Sequence, residues 1–588
     1  MGKLGRYIRP YYGFILLTVF IKLLGAVLEL LLPYLMEIML DDKVPAGDQT
    51  AIYFYGGLMI LCAFGCLGFN ILANRMSAKS SGKITQAIRH DLFKKLQSLS
   101  ARQLDRLTVS SAESRLTSDT YNVNQLLARL QRMGIRAPIL LLGGIMMMLM
   151  MDATLALVLI ALLPIIAVVV YFVTKFSVPM YTKQQTALDG VVRVSQENIT
   201  GIRVIKALSK TDYEKKRFEK VNEELADIGL KAGMITGATN PIATAVLRLG
   251  LTLVVLIGAF RVNDGNMESG VIVAFLQYFV MILNAMLTVT RIFVMISKGQ
   301  ASANRVADVL NTEEDLQVLS YAPLTEEEGG EEQTAPSSED AKGAPHIRFD
   351  NVSFSYTGVG KNLENISFTL EKGQTLAILG PTGSGKSTIL NLLLRLYDAD
   401  EGGVYIDGQD IRTIPYEQLR AKFGVVFQND FLAEGTIGHN IRFFRQIGDE
   451  AVADAAQAAQ ASFIAEKEGG MAAEVVVRGN NLSGGQKQRL LIARALAADP
   501  EILVLDDASS ALDYATDAAL RKALRERYRH TTTVLVAQRI SSVRHADLIL
   551  MLSDGCVIGS GTHQQMMDTC PEYRFLAHTQ MGDGKEGA

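Results

Sequence analysis

Residues Gly380-Pro381-Thr382-Gly383-Ser384-Gly385-Lys386-Ser387 match the spacing G-x-x-x-x-G-K-[ST]. The apolar run Thr375-Leu376-Ala377-Ile378-Leu379 precedes them and reads as a strand. Thr388-Ile389-Leu390-Asn391-Leu392-Leu393-Leu394 follows and reads as a helix. Strand, glycine loop and helix in that order make a phosphate cradle. Glycines let backbone N–H groups face an anion, and the helix N-terminus adds its partial positive charge. Lys386 is placed to reach the β- and γ-phosphates of ATP. Ser387 is placed to hold Mg²⁺, with Thr388 beside it. The plain alternative, a glycine-rich turn that binds nothing, is opposed by the sequence downstream.

Four further stretches extend the reading. Tyr356, in Phe354-Ser355-Tyr356, is placed to stack on an adenine, although a strand aromatic taken alone is more often core. Gln428 follows the strand-like run Phe423–Phe427 and could touch Mg²⁺ or water at its end. Leu482-Ser483-Gly484-Gly485-Gln486 precedes a helix and suits a second phosphate contact at a helix N-terminus. Ile502–Asp506 reads as a buried parallel strand ending in an Mg²⁺ carboxylate, Asp506, and Ser510-Ala511-Leu512-Asp513 follows it.

Outward from this region, composition sets the outer bounds. The chain has 588 residues, 49% of them hydrophobic, with a net charge of −3. Mean hydropathy is +0.19, high for a soluble chain of this length. Whole-chain charge implies no nucleic-acid partner. The four cysteines form no C-x-x-C pair, so neither a disulfide framework nor a zinc site is indicated.

Six apolar stretches have the length of a membrane span: Phe14–Met39, then 51–75, 133–151, 153–176, 242–262 and 268–294. The third and fourth join through a very short turn at Asp152. Met1–Tyr12 is basic and no small-residue cleavage site follows, so this is not the pattern of a removed signal. The first and last loops carry Asp41, Asp42, Asp48, Asp264 and Glu268, whereas the long segments between spans are rich in Lys and Arg. Positive-inside therefore places both termini and both long segments in the cytoplasm. The helical pattern of those segments continues well past a membrane. Lys22, Glu29 and Arg248 interrupt apolar stretches and hint at a polar cavity, or at interface positions. Phe275, Gln277, Tyr278, Met281 and Asn284 mix polar and apolar groups on the last span, a lining suited to amphipathic drugs, lipids or peptides. Residues 1–310 thus read as a transmembrane domain and 346–580 as an α/β nucleotide-binding domain. Between them 311–345 is an acidic linker rich in Gly, Ser and Pro, which cannot bury enough apolar surface to order itself. Residues 581–588 form a tail.

With these motifs in order, the chain resembles a half-size ATP-binding-cassette exporter of the type IV kind. The resemblance covers nearly its whole length, and the Leu482–Gln486 signature between the two phosphate motifs is its most specific part. The resemblance implies a multi-pass protein of the plasma membrane that uses ATP and Mg²⁺. It also implies that two chains pair, each ATP lying between Gly380–Thr388 with Asp506 of one chain and the signature and Asp513 of the other. It implies coupling helices near Ala101–Leu107 and near Lys210–Arg217, the latter after Asn198–Lys206.

Three departures from the family pattern stand out. Asp507 occupies the place of a glutamate that polarises the attacking water, and its side chain is one methylene shorter. Positioning errors of about 1 Å can cost on the order of a hundredfold in rate. Gln538 occupies the place of a histidine and cannot carry positive charge. Val475-Val476-Val477-Arg478-Gly479 lacks the acid that the family commonly places just before the signature. The expectation is a heterodimer subunit: its own site binds ATP and is weakened, while its signature completes the site of a second, different half-transporter. A slow homodimer, and a nucleotide-gated regulatory or channel-like subunit, are the alternatives. The six spans exclude a nucleic-acid ATPase.

Overall fold

A computed structural model describes residues 4–237, 239–319, 344–428 and 431–581. The chain divides into two compact units, Met1–Gln97 with Val109–Thr312, and Ser98–Thr108 with Glu313–Ala588.

The first unit is helical. Its long helices are Tyr12–Ile38, Gln49–Ser98, Thr120–Met151, Ala153–Thr200, Thr211–Gly237, Thr239–Asn263 and Ser269–Leu310. Gln49–Ser98 has 50 residues. At 1.5 Å per residue it is about 75 Å long, far beyond a hydrocarbon core of roughly 30 Å. Among the described residues four helical stretches are long and apolar enough to cross a membrane: Gly5–Lys43, Gln49–Ser98, Val109–Met151 and Ser269–Val289. The expected spans at 153–176 and 242–262 fall on the helices Ala153–Thr200 and Thr239–Asn263, where many side chains lie outside the described residues.

Two helix junctions show why the chain turns where it does. Asp152 leaves helical geometry at φ −152° and ψ 111°, and its carboxylate accepts from the N–H of Leu155 at 2.9 Å. One residue therefore ends one helix and caps the next. Asp41 accepts from the N–H of Val271 at 3.0 Å and from that of Gly270, satisfying orphan donors at the start of Ser269–Leu310. The core joins Leu30, Leu140, Met148, Phe275, Tyr278, Phe279 and Ile282. Glycines permit this closeness: a Cβ on Gly143 would lie 2.5 Å from Leu30 Cδ1.

The structure corrects two expectations here. The short helix in the second long segment is Ile202–Ala207, not Lys210–Arg217. Thr211–Arg217 is instead the first two turns of Thr211–Gly237, with Asp212 and Glu214 in the opening turn where negative charge favours helix initiation. Phe275 and Tyr278 are not among the described residues that line the cavity of this unit. Both are fully buried, and the Tyr278 hydroxyl donates to the Leu30 carbonyl at 2.6 Å.

The second unit is α/β. Its six-stranded sheet runs, in space, Cys556–Gly561, Leu548–Ser553, Thr375–Leu379, Thr532–Val536, Ile502–Asp506, Phe423–Val426. All neighbouring pairs are parallel except the first. Parallel register aligns Ile378, Val536 and Asp506 across three central strands. The loops leaving these strands therefore emerge on one edge, where an open α/β sheet binds its ligand. An antiparallel sheet of Leu363–Leu370, Ile347–Phe354, Glu401–Ile406 and Gln409–Asp410 packs into the same core.

The helix Ala101–Leu107 belongs to this unit and is started by a Ser100–Gln103 capping box. Tyr397 donates to the Asp105 carboxylate, and burial together with that bond pushes the phenol far above the usual tyrosine range. The start of the expected linker is held rather than loose. Leu319 N–H donates to Arg412 C=O at 3.0 Å, and Arg395 Nη2 donates to Gln317 C=O at 2.6 Å. The rest of that segment, 320–343, and the tail 582–588 lie outside the described residues.

Candidate functional site

The glycine loop between Leu379 and Lys386 owes its shape to positive φ at Gly380 (+150°), Gly383 (+87°) and Gly385 (+100°). A Cβ on Gly380 would lie 2.3 Å from the Leu552 carbonyl oxygen. Only glycine fits there. Lys386 folds back over the loop, its ammonium donating to Gly380 C=O at 2.9 Å and Pro381 C=O at 2.7 Å. Pro381, Thr382 and Ser387 are exposed, whereas Ser384 and Thr388 are buried. Ser384 Oγ has no hydrogen-bond partner among the described residues. A glycine loop that keeps a buried hydroxyl unpaired at the start of a helix fits an anion.

The carboxylates sit opposite. Ser387 Oγ donates to Asp506 Oδ2 at 3.0 Å. Asp506 ends an entirely buried strand, and burial raises its carboxyl above the usual range, an effect the Ser387 hydrogen bond opposes. Burial likewise holds Lys386 below the usual lysine range, against the pull of Asp506 and Asp507. A hydroxyl paired with a carboxylate is the donor set that suits a hard, oxygen-seeking Mg²⁺. Gln428 is exposed beyond the strand Phe423–Val426.

Asp507 and Gln538 touch each other. Gln538 Nε2 donates to Asp507 Oδ2 at 3.1 Å. Asp507 holds φ +50°, rare for a non-glycine residue, with its N–H bonded to Val536 C=O at 3.0 Å. Burial raises the Asp507 carboxyl, an effect Arg539 and Lys386 oppose. Tyr356 is half-buried. Its ring meets Phe354 and Tyr397 edge-on at 4.9 and 5.1 Å, and its hydroxyl accepts from Asn391 Nδ2 at 3.0 Å beside Thr388. Tyr356 lies two residues past the strand Ile347–Phe354, and its ring packs against the core cluster.

The signature is built as a helix start. Ser483 caps Gly484–Leu496 in a reciprocal box with Gln486, at 3.3 Å and 3.0 Å. Leu482 is buried, and Ser483 and Gly484 are exposed. Asp513 caps Tyr514–Arg527, and the Thr516 N–H holds its carboxyl below the usual range. Just before the signature, Val476 and Val477 are 44% and 57% exposed, an unusual state for valines within a folded unit.

Two residues escape sequence reasoning. Gln488 bridges the signature helix to the segment after Asp507: its Oε1 accepts from Ala511 N–H at 3.0 Å, and its Nε2 donates to Ser510 Oγ at 3.2 Å. Gln580, on the helix Pro571–Met581, donates to Gln538 C=O and accepts from Ile540 N–H, both at 2.8 Å. It pins the segment that carries Gln538. Gln488 lies two residues past a motif. Gln580 has no motif near it, and only the fold reveals it. The second unit also holds a cavity of about 630 Å³, lined by the loop residues Gly380–Thr382, Lys386 and Gln538 on one side and by Phe575, Leu576 and Gln580 on the other.

Comparison with known proteins is consistent across sequence and structure. A model of the ABC transporter transmembrane region matches residues 15–286, and a model of the ABC transporter domain matches 363–510. An uncharacterized ABC transporter ATP-binding protein of Bacillus subtilis, YfiB, is 32% identical over 591 residues, covering 100% of both chains. A probable multidrug resistance ABC transporter ATP-binding/permease protein of the same organism, YheH, is 31% identical over 542 residues, covering 91% of this chain and 77% of that protein. The structure of a bacterial Atm1-family ABC exporter with ATP bound matches with a TM-score of 0.79 at 25% identity, over 98% of this chain and 99% of that one.

Proposed function

The chain belongs to the ATP-binding-cassette transporters as an exporter half-transporter, and on that premise we propose that it is the weakened-site subunit of a heterodimer. The observation that carries this reading is the hydrogen bond between Asp507 and Gln538. The two residues that depart from the family pattern hold each other at the sheet edge where hydrolysis would occur. A carboxylate too short to reach the water is also tied down by an amide that cannot become cationic. Around them the binding apparatus is complete. Lys386 and the glycine loop hold ATP, Tyr356 meets its adenine, and Ser387, Asp506 and Gln428 would hold Mg²⁺, which supplies neutralising charge for the phosphates. Ser483–Gln486 and Asp513 complete the site of a second, different half-transporter. The test is the rate of this chain alone. Paired only with itself, it is expected to turn ATP over below about 1 s⁻¹, the low end of ordinary enzymes. Pairing with a half-transporter that has glutamate and histidine at these places restores hydrolysis. A self-paired rate above that value overturns the proposal.

The cargo is a small amphipathic drug, lipid or peptide carried across the plasma membrane, a class in keeping with the multidrug-resistance relative YheH. The acidic first and last loops face outside, and the termini and nucleotide domain face the cytoplasm. Cysteines introduced at Asp42 and Asn266 are expected to react with an impermeant thiol reagent on whole cells, and ones at Lys95 and Lys215 only after lysis. The opposite pattern reverses the orientation.

A further inference from the structure

The helical unit encloses a cavity of about 880 Å³ whose charges do not balance. Among the described residues, Lys22, Arg132 and Arg136 line it with a single carboxylate, Glu29. Arg136 takes that carboxylate in a two-point grip, Nε to Oε2 at 3.1 Å and Nη2 to Oε1 at 2.5 Å. Lys22 and Arg132 are left over. Lys22 is only 4% exposed and donates to two neutral amide oxygens, Asn70 Oδ1 at 2.6 Å and Asn74 Oδ1 at 3.3 Å. Arg132 Nε donates to the Ala128 carbonyl at 3.2 Å. Three cations against one carboxylate leave an excess of two positive charges. Arg248, on the helix Thr239–Asn263, is not among the lining residues. Apolar side chains also line it, among them Leu140, Leu251, Leu276, Val280 and Met281, together with the neutral polar Gln277 and Asn284.

A buried cation without a counter-charge is costly in a low-dielectric slab, and amide oxygens replace its water only in part. Such a group persists where a ligand supplies the missing charge. The volume lies within the roughly 300–1,000 Å³ of sites for drug-sized molecules. We propose that this cavity takes an amphiphile with an anionic headgroup, the headgroup on Lys22 and Arg132 and the tail along Leu140, Leu276, Val280 and Met281. The inference rests on the export reading above and narrows its cargo class to anions.

The test uses the full chain in discs of neutral lipid and three fluorescent dodecyl probes that differ only in headgroup: phosphate, phosphocholine and trimethylammonium. After subtraction of empty discs, the phosphate probe is expected to bind at least about tenfold more tightly than the ammonium probe. The double variant Lys22→Gln, Arg132→Gln should erase that preference, and Lys22→Arg with Arg132→Lys should keep it, which separates lost charge from lost fold. Displacement of the phosphate probe by phosphatidylglycerol added to the disc identifies a bilayer lipid as the source of the anion. Its absence identifies a single-chain amphiphile. Equal binding of the three probes, or a preference retained by the Gln double variant, overturns the proposal. Retained preference in discs together with no ATP-driven uptake of the phosphate probe into vesicles holding the assembled pair leaves this site standing and removes the export reading. Uptake by the pair without preference in discs does the reverse.

Discussion

Ser483→Arg is expected to lower ATP turnover of the assembled transporter by about a hundredfold or more, and Asp507→Ala by less than about threefold. Ser483 is exposed at the start of Gly484–Leu496, where helix N–H groups and partial positive charge point outward. On the proposed pairing, an arginine there places a long side chain on the surface that would close on the partner's nucleotide. It also removes the cap that Gln486 N–H uses, which costs on the order of 1 kcal/mol. A hundredfold loss corresponds to about 2.7 kcal/mol, more than the cap alone supplies. Ser483→Ala, which loses the cap and adds no bulk, should therefore lie well above Ser483→Arg in activity. Asp507→Ala acts at the other site, on a carboxylate already held by Gln538. Steady-state ATPase of the reconstituted pair decides the matter. Most activity retained in Ser483→Arg, or nearly all lost in Asp507→Ala, exchanges the roles of the two sites.

Sequence legibility followed the range of the physics involved. The glycine loop, Asp506 and the signature could be read because each depends on a local rule: positive φ, a strand-end carboxylate, a capped helix N-terminus. Their convergence could also be read, because parallel strands bring Ile378, Val536 and Asp506 to one edge. Asp507 and Gln538 were identified separately, and nothing in a sequence says that one donates to the other. The short helix of the second long segment falls at Ile202–Ala207 rather than near Lys210–Arg217, although Thr211–Arg217 is helix-forming as well. The break between them depends on Ser209 at φ +52°, a single non-glycine residue in the left-handed region. Phe275 and Tyr278 fall off the stripe Gln277, Met281, Asn284 and Thr288, which recurs at helical spacing and lines the cavity, so they belong to the packed, hidden side of the helix. Packing of Gly250 under the Phe279 ring, where a Cβ would lie 2.4 Å from Cζ, belongs to that hidden side. Gln277, Met281 and Asn284 on the same helix do line the cavity.

The acidic segment after residue 311 offers the sharpest case, because composition and structure divide it in two. Arg395 is fully buried and closes the helix Lys386–Leu393 of the phosphate loop at φ +49°. Its Nε donates to Asp398 Oδ1 at 3.0 Å, its Nη2 to Gln317 C=O at 2.6 Å, and its guanidinium lies 4.9 Å from the Tyr416 ring centre. One side chain therefore ties the phosphate-loop helix to the strap Glu313–Leu319. Arg395→Met keeps much of the volume and leaves Asp398 and the Gln317 carbonyl without their donor. Removing one partner from a buried charged network costs about 3–5 kcal/mol. At roughly 2–4 °C per kcal/mol for a domain of this size, the thermal transition of the nucleotide-binding half should fall by about 10 °C. The strap should come free at the same time. A glutamate-specific protease, which on composition cuts the wild type first in the acidic run 326–340, should then also cut at Glu313 and Glu314 in the Arg395→Met chain. In the wild type both residues are engaged, Glu314 through the Ser98 hydroxyl and Glu313 through its carbonyl on Gln103. An unchanged transition together with an unchanged cleavage pattern would mean that the strap is held by Leu319 and Arg412 without help from Arg395. Loss of stability with the strap still protected would confine Arg395 to the core beneath the phosphate loop.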